Sequence, residues 1–129
     1  MAGTVMGEML GRVTIPVAAV PVGSTADAAT ITVPFSRWVF RGMALGNPST
    51  SLATSTATVA LRTASGGGGT ALITAQGLTA LLVAADLLDS TIAVGNKIQT
   101  AQLLYIHITQ GVSPIVGTVD VVVEVQGVP

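Results

Sequence analysis

Two stretches in the last quarter of the chain restrict its fold more than any other feature. Leu104, Ile106 and Ile108 alternate with Tyr105, His107 and Thr109, and Val119, Val121, Val123 and Val125 alternate with Asp120, Val122, Glu124 and Gln126. A period of two sends every second side chain to the same side of an extended backbone. Each stretch therefore predicts a strand of roughly six to eight residues with an apolar inner face. Between them Gly111, Ser113, Pro114 and Gly117 supply turn chemistry.

The same period recurs upstream. Ile31, Val33 and Phe35 oppose Thr30, Thr32 and a kink at Pro34, and over 36–42 the residues Trp38 and Phe40 oppose Arg37, Val39 and Arg41. The aromatic side is expected to face inward, with Trp38 and Phe40 as structural anchors. After a Gly46-Asn47-Pro48-Ser49 turn, Ala57, Val59 and Leu61 oppose Thr56, Thr58 and Arg62, and the glycine run 66–69 ends that strand as a hairpin tip. Leu78, Leu81, Leu82, Ala85 and Leu88 instead recur at three- and four-residue intervals, which predicts a short helix over 78–88. Asp86 and Asp89 oppose that assignment, because they fall at the helix C-terminus where the macrodipole disfavours anions. Residues 91–94 and 97–100 flank Gly95-Asn96 and predict a short hairpin.

The segment 1–28 has no sustained period, and the apolar run 13–22 carries Pro16 and Pro21. An extended conformation is expected there. Two readings fit: an arm lying on a neighbouring subunit, or an edge strand or frayed terminus of the same domain. The expected architecture is all-β: a jelly-roll-like β-sandwich over residues 29–129 with one short helix, preceded by an extended N-terminal arm over 1–28.

Composition narrows the function. Charged residues make up 9% of the chain and apolar residues half of it, and the mean hydropathy is +0.74. An ordinary soluble domain is about 25% charged. Five basic and six acidic residues create no field to attract a polyanion, so nucleic acid is not an expected partner. Cysteine is absent, which removes disulfides and thiolate chemistry. The uncharged stretches 42–61 and 63–85 are broken by Ser, Thr, Asn, Pro and Gly apart from Arg62 between them, and do not resemble membrane spans. The run 13–22 is a poor signal peptide, because two prolines interrupt it and Glu8 precedes it.

Chemistry is sparsely supplied. His107 is the only histidine; it alternates outward on its strand and has no partner motif in sequence, so it is read as a surface or interface residue. No G-x-S-x-G, H-E-x-x-H or P-loop pattern occurs. Asp86 with Asp89 makes a weak calcium pair. Asp120 and Glu124 stand roughly 13 Å apart on a strand at about 3.3 Å per residue. No catalytic, cofactor-binding or metal-binding residue is assigned, no cofactor is expected, and the chain is not expected to be an enzyme. The candidate partner-binding residues are Val13, Ile15, Val17, Val20 and Val22 of the N-terminal segment, with Arg37, Arg41 and Tyr105.

Few charges, many Ser and Thr, and strands apolar on both faces suit a protein whose surface meets other subunits. Several segments add a family resemblance: Thr32-Val33-Pro34-Phe35, and the stretches 57–72, 76–81, 104–111 and 119–125. Together these resemble small virion proteins of tailed bacteriophages, in particular capsid decoration or cement proteins, over roughly residues 30–126. The resemblance implies a β-sandwich assembled in the host cytoplasm onto the capsid exterior. There it binds the major capsid protein, often as a homotrimer, and stabilises the shell by bridging its subunits. Tail, fibre or head–tail attachment is the alternative within virions, and a surface carbohydrate-binding β-sandwich using Tyr105 is a further one.

Overall fold

The computed structural model describes residues 11–112 and 114–129. Among the described residues the chain forms nine strands: β1 (Arg12–Pro21), β2 (Ala26–Thr32), β3 (Trp38–Gly46), β4 (Thr58–Arg62), β5 (Gln76–Gly77), β6 (Leu87–Asp89), β7 (Ile98–Gln99), β8 (Leu103–Thr109) and β9 (Thr118–Gly127). They build two antiparallel sheets. The first runs β1-β9-β3-β6, with β7 also paired to β3; the second runs β2-β8-β4-β5. Side chains from both sheets meet in one buried cluster that includes Trp38, Phe40, Met43 and Leu45 of β3, Val119, Val121, Val123 and Val125 of β9, and Leu104, Ile106 and Ile108 of β8.

β9 sets the register of the first sheet. Its inward valines alternate without interruption, whereas the pairing of both neighbours shifts once along its length. In β1 the pairing steps from Val17↔Val121 to Val20↔Val119, so the inward positions change from Val13, Ile15 and Val17 to Val20 and Val22. In β3 it steps from Phe40↔Val125 to Gly42↔Glu124, which leaves Arg41 unpaired and changes the inward positions from Trp38 and Phe40 to Met43 and Leu45. These are β-bulges, each converting a phase error in the apolar pattern into a bend. Gly42 has a φ of 151°. That conformation is open chiefly to glycine.

The outward side chains of β9 hold both bulges. The Asp120 carboxylate accepts the Ala19 amide at 2.9 Å and the Asn47 side-chain amide at 2.9 Å. Ala19 and Asn47 have φ of 54° and 47°. Such left-handed values are unfavourable without support of this kind. At the other end Arg41 Nε donates to Gln126 Oε1 at 2.9 Å.

Two sequence expectations fail. No helix forms over 78–88. Leu78 and Leu81 are buried, but residues 82–85 are exposed and Leu87–Asp89 pairs with residues 44–46 as β6. The Asp86 carboxylate takes the amides of Leu82 and Val83 at 2.8 and 3.0 Å. A side chain thus captures local backbone donors in a non-helical turn. The hairpin around Gly95-Asn96 is also absent. Its turn is present, with Lys97 N donating to Val94 O, but the flanks diverge: Ile92 bridges to Ile73, and Ile98–Gln99 pairs with Trp38 and Val39. The edge of β3 is long enough for β6 and β7 together, and both short segments pair with it.

Of the two readings of the N-terminal segment, the edge strand describes Arg12–Pro21, which pairs along its length with β9; β2 then spans residue 28 within the second sheet. Residues 1–10, the start of the expected arm, lie outside the described residues. The two strands expected in the last quarter form as β8 and β9, and they sit in different sheets.

If β9 is the ruler, parity decides mutational cost. Phe40 stands opposite Val125 on the inner face, and Val122 points outward. Phe40→Ala is expected to lose about 3–5 kcal/mol in urea titrations. Val122→Thr is expected to stay within about 0.5 kcal/mol of the parent. The two amides at Asp120, Ala19 first and Asn47 second, hold its carboxyl below the usual aspartate range. A depressed folded-state pKa contributes stability above the unfolded value, and that contribution is lost as pH falls through the folded one. Asp120→Asn is therefore expected to lower the urea midpoint at neutral pH, with the gap to the parent closing as acid protonates the parent's carboxyl.

Candidate functional site

Polar chemistry collects on the outer face of the second sheet. β8 lies between β2 and β4, with His107 opposite Asp27 on one side and Ala60 on the other, and Tyr105 opposite Thr30 and Arg62. Period-two geometry puts Asp27, His107, Thr109, Thr58, Ala60 and Arg62 on this common face. Ala60 is the small member, and the space above it forms an open pocket of about 350 Å³ that Thr58, Arg62, Gly66, Gly67, His107 and Thr109 help to line.

Asp27 organises the pocket. Its Oδ1 lies 2.8 Å from His107 Nδ1, and its Oδ2 accepts the Gly66 amide at 2.8 Å. The Gly66 amide, followed by His107, holds the Asp27 carboxyl below the usual aspartate range. Because an ionised carboxylate only accepts, Nδ1 carries the proton and Nε2 is left toward Gly67. A Cβ at Gly67 would stand 3.3 Å from Nε2, so the glycine keeps that nitrogen clear. The hairpin 63–70 borders the pocket: Thr63 N donates to Thr70 O, and Arg62 Nε donates to Gly68 O at 3.2 Å.

The sequence-derived candidates are dispersed. Val20 and Val22 are buried in this chain's own core, and Val13, Ile15 and Val17 pack partly against it, because β1 turns these side chains inward. Val20 and Val22 are thereby closed to a partner, whereas Val13, Ile15 and Val17 keep part of their surface exposed. Trp38 and Phe40 are fully buried, and Trp38 Nε1 donates to Ala101 O at 2.8 Å. Arg37 donates to the Pro129 carbonyl oxygen, and Arg41 to Gln126 and Asn96. Arg12 belongs to the same end of β9, pairing with Gln126 in register and forming a 3.2 Å ion pair with Glu124. Tyr105 is half-buried, with Arg62 as its neighbour across β4.

Sequence reasoning places His107 outward but misses its partner, because Asp27 is 80 positions away and only the β2–β8 register joins them. A usable signal exists in Thr58-x-Ala60-x-Arg62, whose alternation matches that of Tyr105-x-His107-x-Thr109. Among the described residues no three His, Asp or Glu side chains gather as metal ligands, and no helix is long and apolar enough to cross a membrane.

A second surface lies outside the first sheet. Two depressions of about 210 and 160 Å³ share Asp120 and Val122; the larger reaches Ala84 and Leu87, the smaller Pro16 and Ala18. Leu87 and Val122 are 80% and 39% exposed, and Leu82 and Val83, just before Ala84, are 47% and 60% exposed. The chain matches no protein-family model, no curated protein and no solved structure.

Removing the pocket's organiser is expected to release the glycine hairpin: Asp27→Ala should speed hydrogen exchange at the Gly66 amide several-fold while β9 amides stay protected, as read by NMR.

Proposed function

We propose that this chain is a structural subunit of a large assembly, acting without catalysis as a decoration protein on a tailed-phage capsid. In this reading the two sheets form a jelly-roll-like β-sandwich. It associates as a homotrimer, binds major capsid protein and reinforces the shell. The observation that supports the reading most is the exposed apolar patch of Ala84, Leu87 and Val122 outside the first sheet, flanked by the exposed Leu82 and Val83. Contiguous exposed apolar surface of this kind marks protein contact. The sequence resemblance to decoration proteins supplies the type of partner.

The mechanism is additive burial. Each copy covers its apolar face against the lattice, and a contact of about 1,600 Å² is typical of specific association. Copies joined to one another detach only when several contacts break together. Arg37 and Arg41, held at the far end of β9, offer charged contacts at the rim of such an interface.

The test mixes purified chain with undecorated tailed-phage capsids and counts bound copies. Hundreds per particle are expected, and Val83→Glu with Leu87→Glu should abolish most of that occupancy without changing the melting temperature by more than a few degrees. A handful per particle would move the protein to the tail or a fibre. A chain that stays monomeric at high concentration and binds no particle overturns the assembly role.

A further inference from the structure

We infer that the pocket over Ala60 is a binding site for a hexuronate, a sugar ring carrying both hydroxyls and a carboxylate. The inference is independent of the assembly role, since it concerns the opposite sheet.

The donor and acceptor pattern selects this class. Asp27 engages His107 Nδ1, which leaves Nε2 as the ring nitrogen free to pair with a sugar hydroxyl. Arg62 spends Nε on Gly68 O and, weakly, Nη2 on Gly69 O at 3.4 Å, which leaves Nη1 uncommitted among the described residues. Nη1 thus offers a charge-assisted donor to a carboxylate. Arg62 and His107 are diagonal neighbours across β4 and β8. That relation, roughly 7–8 Å between backbones, brings long side chains within reach of one small ring. Thr58 and Thr109, directly opposite each other, add two hydroxyls at the other end.

Shape agrees with the chemistry. The pocket volume is about 350 Å³. Ligand sites span roughly 300 to roughly 1000 Å³, so this one is small and suits a single ring. Ala60 lies between the larger Thr58 and Arg62, and Gly66 and Gly67 add a stretch of lining without side chains. This glycine stretch is pinned by the same carboxylate that orients the imidazole. One residue thus pre-organises two walls, which lowers the ordering cost of binding.

Glucuronate and galacturonate titrated into the full chain, followed by NMR, are expected to shift the Gly66 and Gly67 amides and the His107 ring, with Kd of roughly 0.1–1 mM. Glucose and acetate should bind at least about tenfold more weakly, each lacking half of the recognition. Ala60→Leu fills the pocket without touching a polar group and should abolish the shifts while leaving the melting temperature unchanged. Arg62→Gln should remove the preference for uronate over glucose. An oligogalacturonate that binds more tightly than the monomer supports the site and places its ligand in a polysaccharide; equal binding supports it and places the ligand as the free acid. The inference is overturned if about 20 mM uronate shifts none of these signals, if acetate matches uronate, or if Ala60→Leu binds as well as the parent.

Discussion

The unbroken valine alternation of β9 is the constraint on which the first sheet depends. A strand with every second residue buried cannot slip by one position without turning its apolar face to water. β9 therefore holds its register, and its neighbours accommodate it: β1 and β3 each absorb an irregularity, at opposite ends of β9. The side chains β9 directs outward then stabilise the irregularities its inner face imposes, Asp120 at Ala19 and Gln126 at Arg41. Core packing and surface hydrogen bonding are in this way two sides of one strand.

Legibility in the sequence follows the distance over which each feature is decided. The inward sides of β8 and β9 and the burial of Trp38 and Phe40 come from local alternation, and local alternation is visible in the chain. The change of phase between Phe40 and Met43 is not, because a bulge shows only when a strand is matched against its partner. The segment 78–88 misleads for a related reason: its spacing suits a helix, but Asp86 captures the local amides and β3 has an edge to fill. The pocket is the least legible part, since it needs the β2–β8 and β8–β4 registers at once.

Scarcity of charge is offset by side chains that bond to backbone. Thr56 Oγ1 donates to Val112 O at 2.7 Å, Gln110 Nε2 to Val22 O at 2.6 Å and Gln102 Nε2 to Phe35 O at 2.6 Å, while Ser49 Oγ accepts the Thr118 amide at 2.8 Å. These neutral bonds pin loops that other proteins often brace with ions. They owe little to ionic strength, because the Debye screening that weakens exposed ion pairs acts between formal charges.

The edges of the first sheet carry a further meaning. On one side β3 is paired by β7 at Trp38 and Val39 and by β6 at residues 44–46, with its bulge between them; on the other, β1 is broken by Pro16, Pro21 and its own bulge. Irregular or proline-bearing borders are poor templates for a foreign strand. Neighbouring molecules brought flank to flank along these two borders therefore find no continuous ladder to extend.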